Sequence, residues 1–288
     1  MVFLILLVMH QLLPASTSQE DNYKPKNILR FAEHLYQERD YLRAAGEFQR
    51  YLYYFNSFPS DADVIFHKIG LCYRFAGEFQ RSTHYFQQVI DSFPQSIYLN
   101  DSYYQIALAY FLMNKYEESI SISDINFSLV NSRTSRLKIQ QLKGISYIYQ
   151  KKWNNALDLL GSIEKDPKNN YLTAQLVDFA EQGKKLPKKS KFLAGLMSSI
   201  IPGSGKMYAH RTSDGFVSLL TIGLTGWQAY RSFHKDGVKS VRGWIYGTIT
   251  AFLYLGNIYG SIVAVNIYNQ QLEDKLFERI SVTVNVHF

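Results

Sequence analysis

Sulfur and charge are both scarce in this chain. Cys72 is the sole cysteine among 288 residues, so no intramolecular disulfide and no cysteine-built metal site can form. It falls in an apolar helical pattern and reads as a small buried hydrophobe. Charged residues make up 19%, below the quarter or so of ordinary globular chains. The seven histidines, at 10, 34, 67, 84, 210, 234 and 287, include no pair at helical metal-ligand spacing. A Gly-x-Ser-x-Gly elbow is missing, as is an acidic pair beside a glycine-rich loop. These absences argue against an enzyme and imply neither metal nor cofactor.

What is abundant is aromatic surface: 22 Tyr and 19 Phe against 3 Trp, which suits interhelical packing and membrane-interface rings alike. The net charge of +7 could suggest nucleic acid, but its distribution argues otherwise. Much of it sits in one run, Lys184, Lys185, Lys188, Lys189 and Lys191, directly before the apolar final third. Lysines so placed face lipid headgroups rather than nucleic acid. At the start, Val2 to Met9 is an unbroken apolar run too short to span a bilayer. Pro14 and the small residues Ala15 to Ser18 follow, so residues 1–18 read as a secretory signal and the mature chain as exported. No Lys or Arg precedes the apolar run, and no cysteine follows it to carry a lipid.

From residue 27 to about 180 the chain repeats itself. Tyr41, Phe79, Tyr116 and Trp153 are 38, 37 and 37 residues apart. Before three of them comes a small residue, Gly70, Ala107 or Gly144, which lets a second helix approach closely. After each comes another, Ala44, Ser82, Ser119 or Ala156, where that second helix crosses its neighbour. Pro59, Pro94 and Pro167 close hairpins, because proline cannot continue a helix. One hairpin cannot bury its own apolar face, so about four must stack into a solenoid. The pattern is all-α.

These residues resemble the tetratricopeptide repeat (TPR) family, with the second unit matching best. The third has Ser123 where an aromatic is expected, and the period exceeds the family's 34 residues. That longer period resembles the TPR proteins of bacterial envelopes, including the lipoprotein of the outer-membrane barrel-assembly machine. The resemblance implies a protein or peptide ligand on a concave face built from the first helix of each unit. It places Glu33, Tyr36, His67, Arg74, Tyr104, Phe111, Gln141 and Tyr149 there. The bland reading of each is packing between neighbouring units.

After a basic linker at 181–191, composition shifts. Residues 192–267 hold three apolar stretches, Phe192–Ile201, Gly215–Tyr230 and Gly243–Ile267. The last has 25 residues without Lys, Arg, Asp or Glu, about 37 Å as a helix and long enough to cross a bilayer. The middle one, extended through Phe233, is also adequate. The first reads as half-spanning or interfacial. Within the last stretch Gly243, Gly247 and Ala251 recur at four, as do Gly256, Gly260 and Ala264, two stripes suited to close helix packing within the chain or between copies.

Gly203-Ser-Gly205-Lys206 invites a phosphate-loop reading and fails it. Ile200 stands at the first loop glycine, and Met207 where a Ser or Thr should hold magnesium. The segment instead resembles a small bacterial membrane domain with a Pro-Gly-x-Gly-x-x-Tyr turn and two following membrane helices. Pro202, Gly203, Gly205, Tyr208 and Arg211 carry the match, while His210 replaces the usual glycine. The expected geometry is a tight turn at the membrane interface, with Tyr208 at headgroup depth and Lys206 and Arg211 near phosphates. Arg231, Lys235, Lys239 and Arg242 favour a cytoplasmic loop between the last two helices; the lysine run before residue 192 opposes that orientation. In residues 268–288, Ile280, Val282, Val284 and Val286 alternate strictly, predicting an edge strand or a loose tail.

Taken together, the sequence predicts a membrane-anchored TPR adaptor of the bacterial cell envelope, with extracytoplasmic repeats and no chemistry of its own. The rival reading is a structural or transport-linked membrane component that oligomerises through its C-terminal helices.

Overall fold

The computed structural model describes residues 24–54, 60–163 and 170–287. The segment read as a secretory signal, together with Pro59 and Pro167, lies outside them. Among the described residues there are thirteen α-helices and no strand. The chain divides into two compact units, Met1–Val177 and Asp178–Phe288.

The first unit is a run of helical hairpins. Its helices are α1 (Pro25–Gln37), α2 (Tyr41–Tyr53), α3 (Ala62–Phe75), α4 (Phe79–Ser92), α5 (Leu99–Leu112), α6 (Tyr116–Leu129), α7 (Arg133–Tyr149) and α8 (Trp153–Ser162). α9 (Asn170–Lys184) runs across the division between the units. Tyr41, Phe79, Tyr116 and Trp153, the repeated aromatics, each open a second helix. Pro94 lies in the break between α4 and α5.

Within each hairpin the turn is the same. Arg39, Gly77, Asn114 and Lys151 adopt φ of 63°, 79°, 59° and 59°. In the second unit the Gly77 amide donates to Arg74 O at 3.1 Å and the Glu78 amide to Tyr73 O at 2.8 Å. Equivalent bonds recur at Asn114 and Lys115, and at Lys151 and Lys152. This left-handed cap satisfies the last carbonyls of the first helix and reverses the chain in three residues.

Packing follows the small-residue pattern. Ala44, Ser82, Ser119 and Ala156 are all fully buried. A Cβ on Gly70 would lie 2.8 Å from the ring of Phe86, and one on Gly144 would lie 2.5 Å from Leu160. In the third unit Ala107 occupies the glycine position, and its counterpart across the seam is Ser123. That serine is buried and donates to Ser119 O at 2.6 Å. Glycine therefore accompanies a large opposite side chain, and alanine a small one. The missing aromatic at 123 is compensated by polar contacts, including Ser119 Oγ to Ala107 O and Asn126 Nδ2 to Tyr103 O.

Beyond α9, the second unit contains α10 (Lys191–Ile200), α11 (Ser204–Tyr208), α12 (Thr212–Asp236) and α13 (Val241–His287), with a 3-10 turn at Gly237–Lys239. α13 is one 47-residue helix, about 70 Å long at ~1.5 Å per residue. The strand expected at 280–288 is therefore corrected: residues through His287 are helical. Leu276, Ile280 and Val284 are buried, and they recur at four, a helical stripe that the alternation of valines concealed. Arg279 lies 5.7 Å over the Phe179 ring and donates to Gln182.

Candidate interaction surface

Side chains of the first helices α1, α3, α5 and α7 link one unit to the next. Glu33 pairs with Lys68. Tyr36 meets Tyr41 and Phe75 edge-on, at 5.7 and 6.4 Å. Arg74 stacks over Phe75 at 4.1 Å. Phe111, Tyr116 and Tyr149 form a three-ring cluster with centroids 5.3–5.5 Å apart.

Four of the eight residues expected in the groove are buried. His67, Tyr104, Phe111 and Gln141 are each at most 7% exposed. His67 Nε2 meets Asp101 at 2.7 Å and its ring stacks on Tyr98. Gln141 donates to Thr173 at 3.0 Å. His67, Tyr104 and Gln141 are equivalent positions, so the same face of α3, α5 and α7 turns toward the neighbouring unit. Glu33, Tyr36, Arg74 and Tyr149 remain half-buried.

The electrostatics reflect this packing. Burial pushes the Tyr104 hydroxyl up and the Arg74 guanidinium down from their usual values. Burial also acts to raise the Asp101 carboxyl. The hydrogen bond and charge of His67, with help from Gln105 and Lys138, overcome it and hold Asp101 below the ordinary range. The Cys72 thiol is pushed up to about 12, chiefly by burial, which leaves it chemically inert.

Sequence reasoning missed Phe75 and Leu112. Both are exposed, and they stand 74 and 37 residues before Tyr149, so the same period would have found them. Lys138, exposed and 5.6 Å over the Tyr104 ring, was also missed. Phe75, Arg74, Leu112, Lys138 and Tyr149 offer aromatic, aliphatic and cationic groups. Two open clefts lie elsewhere. One, of about 660 Å³, is lined by Asn27, Arg30, Phe31, His34 and Arg50; the other, of about 600 Å³, by Gln49, Tyr73, Gln80, Arg81, His84 and Tyr85. Among the described residues no three His, Cys, Asp or Glu side chains group as a metal ion would need.

The second unit buries polar side chains beside small apolar ones and exposes large apolar ones. Its interior holds Ser198, Asn257 and Ser261, all buried, with Ser198 and Ser261 hydroxyls 2.6 Å apart. Its outside carries Phe192, Ile200, Phe216, Leu224, Trp227, Phe252 and Tyr259. Of the described helices, α13 alone is long and apolar enough to cross a membrane, and 22% of its most apolar window is buried. α12 carries Asp214, Arg231, Lys235 and Asp236 and falls short of that composition, unlike the expectation for the middle stretch.

Within the Pro202–Arg211 turn Gly203, Gly205 and Ala209 are buried, while His210 and Arg211 are exposed. Gly203 takes a left-handed φ of 87°, and a Cβ there would lie 2.0 Å from Gly215 O. A Cβ on Gly205 would meet Ala194 O at 2.1 Å. The freed backbone groups find side-chain partners. The Gly203 amide donates to Asn257 Oδ1 (3.0 Å) and the Gly205 amide to Ser198 Oγ (2.9 Å). Ser199 O accepts from Tyr254 OH. His210 holds φ 62°, so it reproduces the backbone that glycine would supply. Lys206 Nζ donates to Ser218 at 2.8 Å and Arg211 pairs with Asp214 at 2.6 Å. Tyr208 OH accepts from the Ser190 amide, and Lys189 reaches the Tyr208 carbonyl. The turn is level with Asn257, near the middle of Gly243–Ile267 and not at its end.

The small-residue stripes are partly consumed inside the chain. A Cβ on Gly243 would collide with Phe233 at 2.7 Å, Gly247 faces the same ring, Gly260 lies against Lys206, and Ala264 is buried with Ala194 and Ala209. Ala251 and Gly256 stay exposed, with nothing within 4 Å of a Cβ on Gly256.

No curated protein matches the chain. Two family models, each described as tetratricopeptide repeat, match residues 66–96 and 101–123. The first covers most of α3 and all of α4, and the second most of α5 and the start of α6. Together with the repeated hairpins, these matches support a tetratricopeptide-repeat protein carrying a long apolar C-terminal helix.

Proposed function

We propose that the chain is a membrane-anchored adaptor of the bacterial cell envelope, whose repeats bind a segment of another protein. Tetratricopeptide repeats are in general protein-binding scaffolds without catalysis, and the stacked hairpins with a mixed aromatic and cationic first-helix surface carry the reading. Phe75, Arg74, Leu112, Lys138 and Tyr149 suit an extended or helical peptide, which supplies apolar side chains and backbone or carboxylate acceptors. The large apolar side chains exposed over residues 191–267 support anchoring, because facing water they would be unfavourable and facing lipid they are not. In this reading residues 1–18 are a secretory signal, the repeats are extracytoplasmic, and the turn near Gly237–Lys239 with Arg231, Lys235 and Arg242 is cytoplasmic.

The test uses an immobilised 20–185 fragment beside the full chain. Both should retain the same partner, and Phe75→Asp or Lys138→Glu should release it while His84→Ala does not. A partner held by the full chain and by no form of the fragment would refute the adaptor role. That outcome favours the second reading, an oligomerising membrane component, which rests on the exposed Ala251 and Gly256.

A further inference from the structure

The contacts of α10 and α11 with α13 follow a register that sets depth. Lys189 exchanges two backbone bonds with the Asn269 side chain, at 2.8 and 2.9 Å. A Cβ on Gly195 would meet Ile262 and Ile258. Ser198 reaches Ser261, and Gly203 reaches Asn257. Beyond Gly203 the register runs backwards: Gly205 lies by Ser261, Lys206 by Gly260, and His210 by Tyr268 at 5.4 Å. α10 thus descends along α13 from the level of Asn269 to that of Asn257, and α11 climbs back. α12 then descends the whole way: Gly226 faces Thr250, and Phe233 packs on Gly243.

We propose that α10 and α11 form a re-entrant hairpin that enters one leaflet of the bilayer and turns at mid-depth, while α13 crosses it completely and α12, too polar to cross alone, crosses packed along α13 through Gly226, Thr250, Phe233 and Gly243. This deepens the anchoring reading above and rests on it. It follows that residues 185–190 and the end of α13 emerge on one face, and the Gly237–Lys239 turn on the other.

The chemistry at the turn is what such a depth demands. Irregular backbone inside hydrocarbon is tolerated only where protein satisfies its polar groups. The Gly203 and Gly205 amides and the Ser198 and Ser199 carbonyls all have partners supplied by Asn257, Ser198 and Tyr254. A turn lying in water or among headgroups would need no such set. Lys206 is the charge carried deepest. It sits eight residues, about 12 Å, below the Tyr268 level, with its stem along Gly260 and its ammonium held by Ser218. The Ser218 hydroxyl in turn donates to Asp214 O, so a polar path leads from the lysine toward Arg211 at the leaflet edge. At that edge Lys189 lies 5.1 and 4.5 Å over the rings of Tyr208 and Tyr268, an aromatic and cationic collar suited to headgroups.

Single cysteines test this in sealed vesicles holding the full chain, read with a membrane-impermeant maleimide added to one face and then to both. The native Cys72, buried with a raised thiol pKa, supplies little background. Lys185→Cys and Val282→Cys should react from one face and Val238→Cys from the other. Ile201→Cys should react from neither face until detergent dissolves the bilayer. Reaction of Ile201→Cys from the Val238 face would mean that α10 crosses fully; reaction from the Lys185 face would mean that it lies on the surface. Either outcome overturns the re-entrant hairpin while leaving the anchor intact. If all four positions react from one face and alkaline carbonate extracts the protein, the membrane reading itself fails, and the hairpin with it.

Discussion

At the scale of residues, the turns and seams were legible and the binding surface only half so. The pairs Gly70 with Phe86 and Gly144 with Leu160 follow from the repeat spacing, because a hairpin needs one small partner where its helices touch. Gly70→Leu or Gly144→Leu should lower stability by about 1–3 kcal/mol, the usual penalty for overpacking. An unchanged thermal midpoint in both would show that the seam is drawn wrongly. The groove was harder to read. A period places His67, Tyr104 and Gln141 on one face, but it cannot say whether that face meets solvent or the next unit, since superhelical stagger decides it. Asp101 shows the consequence. It partners a histidine 34 residues away, a contact that no motif announces. Its folded pKa lies below the unfolded value, so the stability it contributes is present above the ordinary carboxylate range, near 3.9. That stability is lost as pH falls through the lower folded value. Denaturant unfolding of the repeat fragment should therefore weaken steeply below about pH 4, and Asp101→Asn should flatten that slope. Identical slopes would show that the pair is immaterial.

At the scale of elements, boundaries given by turn chemistry were readable and those set by tertiary packing were not. All four second helices begin at the repeated aromatic, Tyr41, Phe79, Tyr116 or Trp153. The last turn of the chain misled because β-branched residues at 280, 282, 284 and 286 satisfy a strand pattern locally, while the buried stripe Leu276, Ile280 and Val284 satisfies a helix. The helix continues because that stripe has a surface to cover, with Phe179 and Ala180 of α9 also buried. The level of the Pro-Gly-x-Gly turn along α13 was likewise hidden, since it is fixed by Asn257, more than fifty residues later. Gly203→Val with Gly205→Val should abolish stable assembly of the second unit, because Gly203 and Gly205 each lack room for even one carbon. Lys206→Ala, which removes one hydroxyl partner, should leave the unit folded. Proteolysis of detergent-purified protein distinguishes the two. Equal resistance of the double valine variant would contradict the packing around α11, and ATP binding lost on Lys206→Ala would restore the phosphate-loop reading.

At the scale of the whole molecule, the chain joins a unit whose core is apolar to one whose exterior is apolar, and that contrast is the reason for assigning them different solvents. Composition pointed to it: no Lys, Arg, Asp or Glu falls between Gly243 and Ile267. The central claim is that the repeats fold in water and residues 191–267 in lipid. Alkaline carbonate extraction of membranes carrying the full chain, beside circular dichroism of the soluble 20–185 fragment, tests it most directly. The account predicts that the full chain stays in the membrane pellet and that the fragment is soluble and predominantly helical. Full-length protein released into the carbonate supernatant, or a fragment that is disordered or rich in strand, would contradict it.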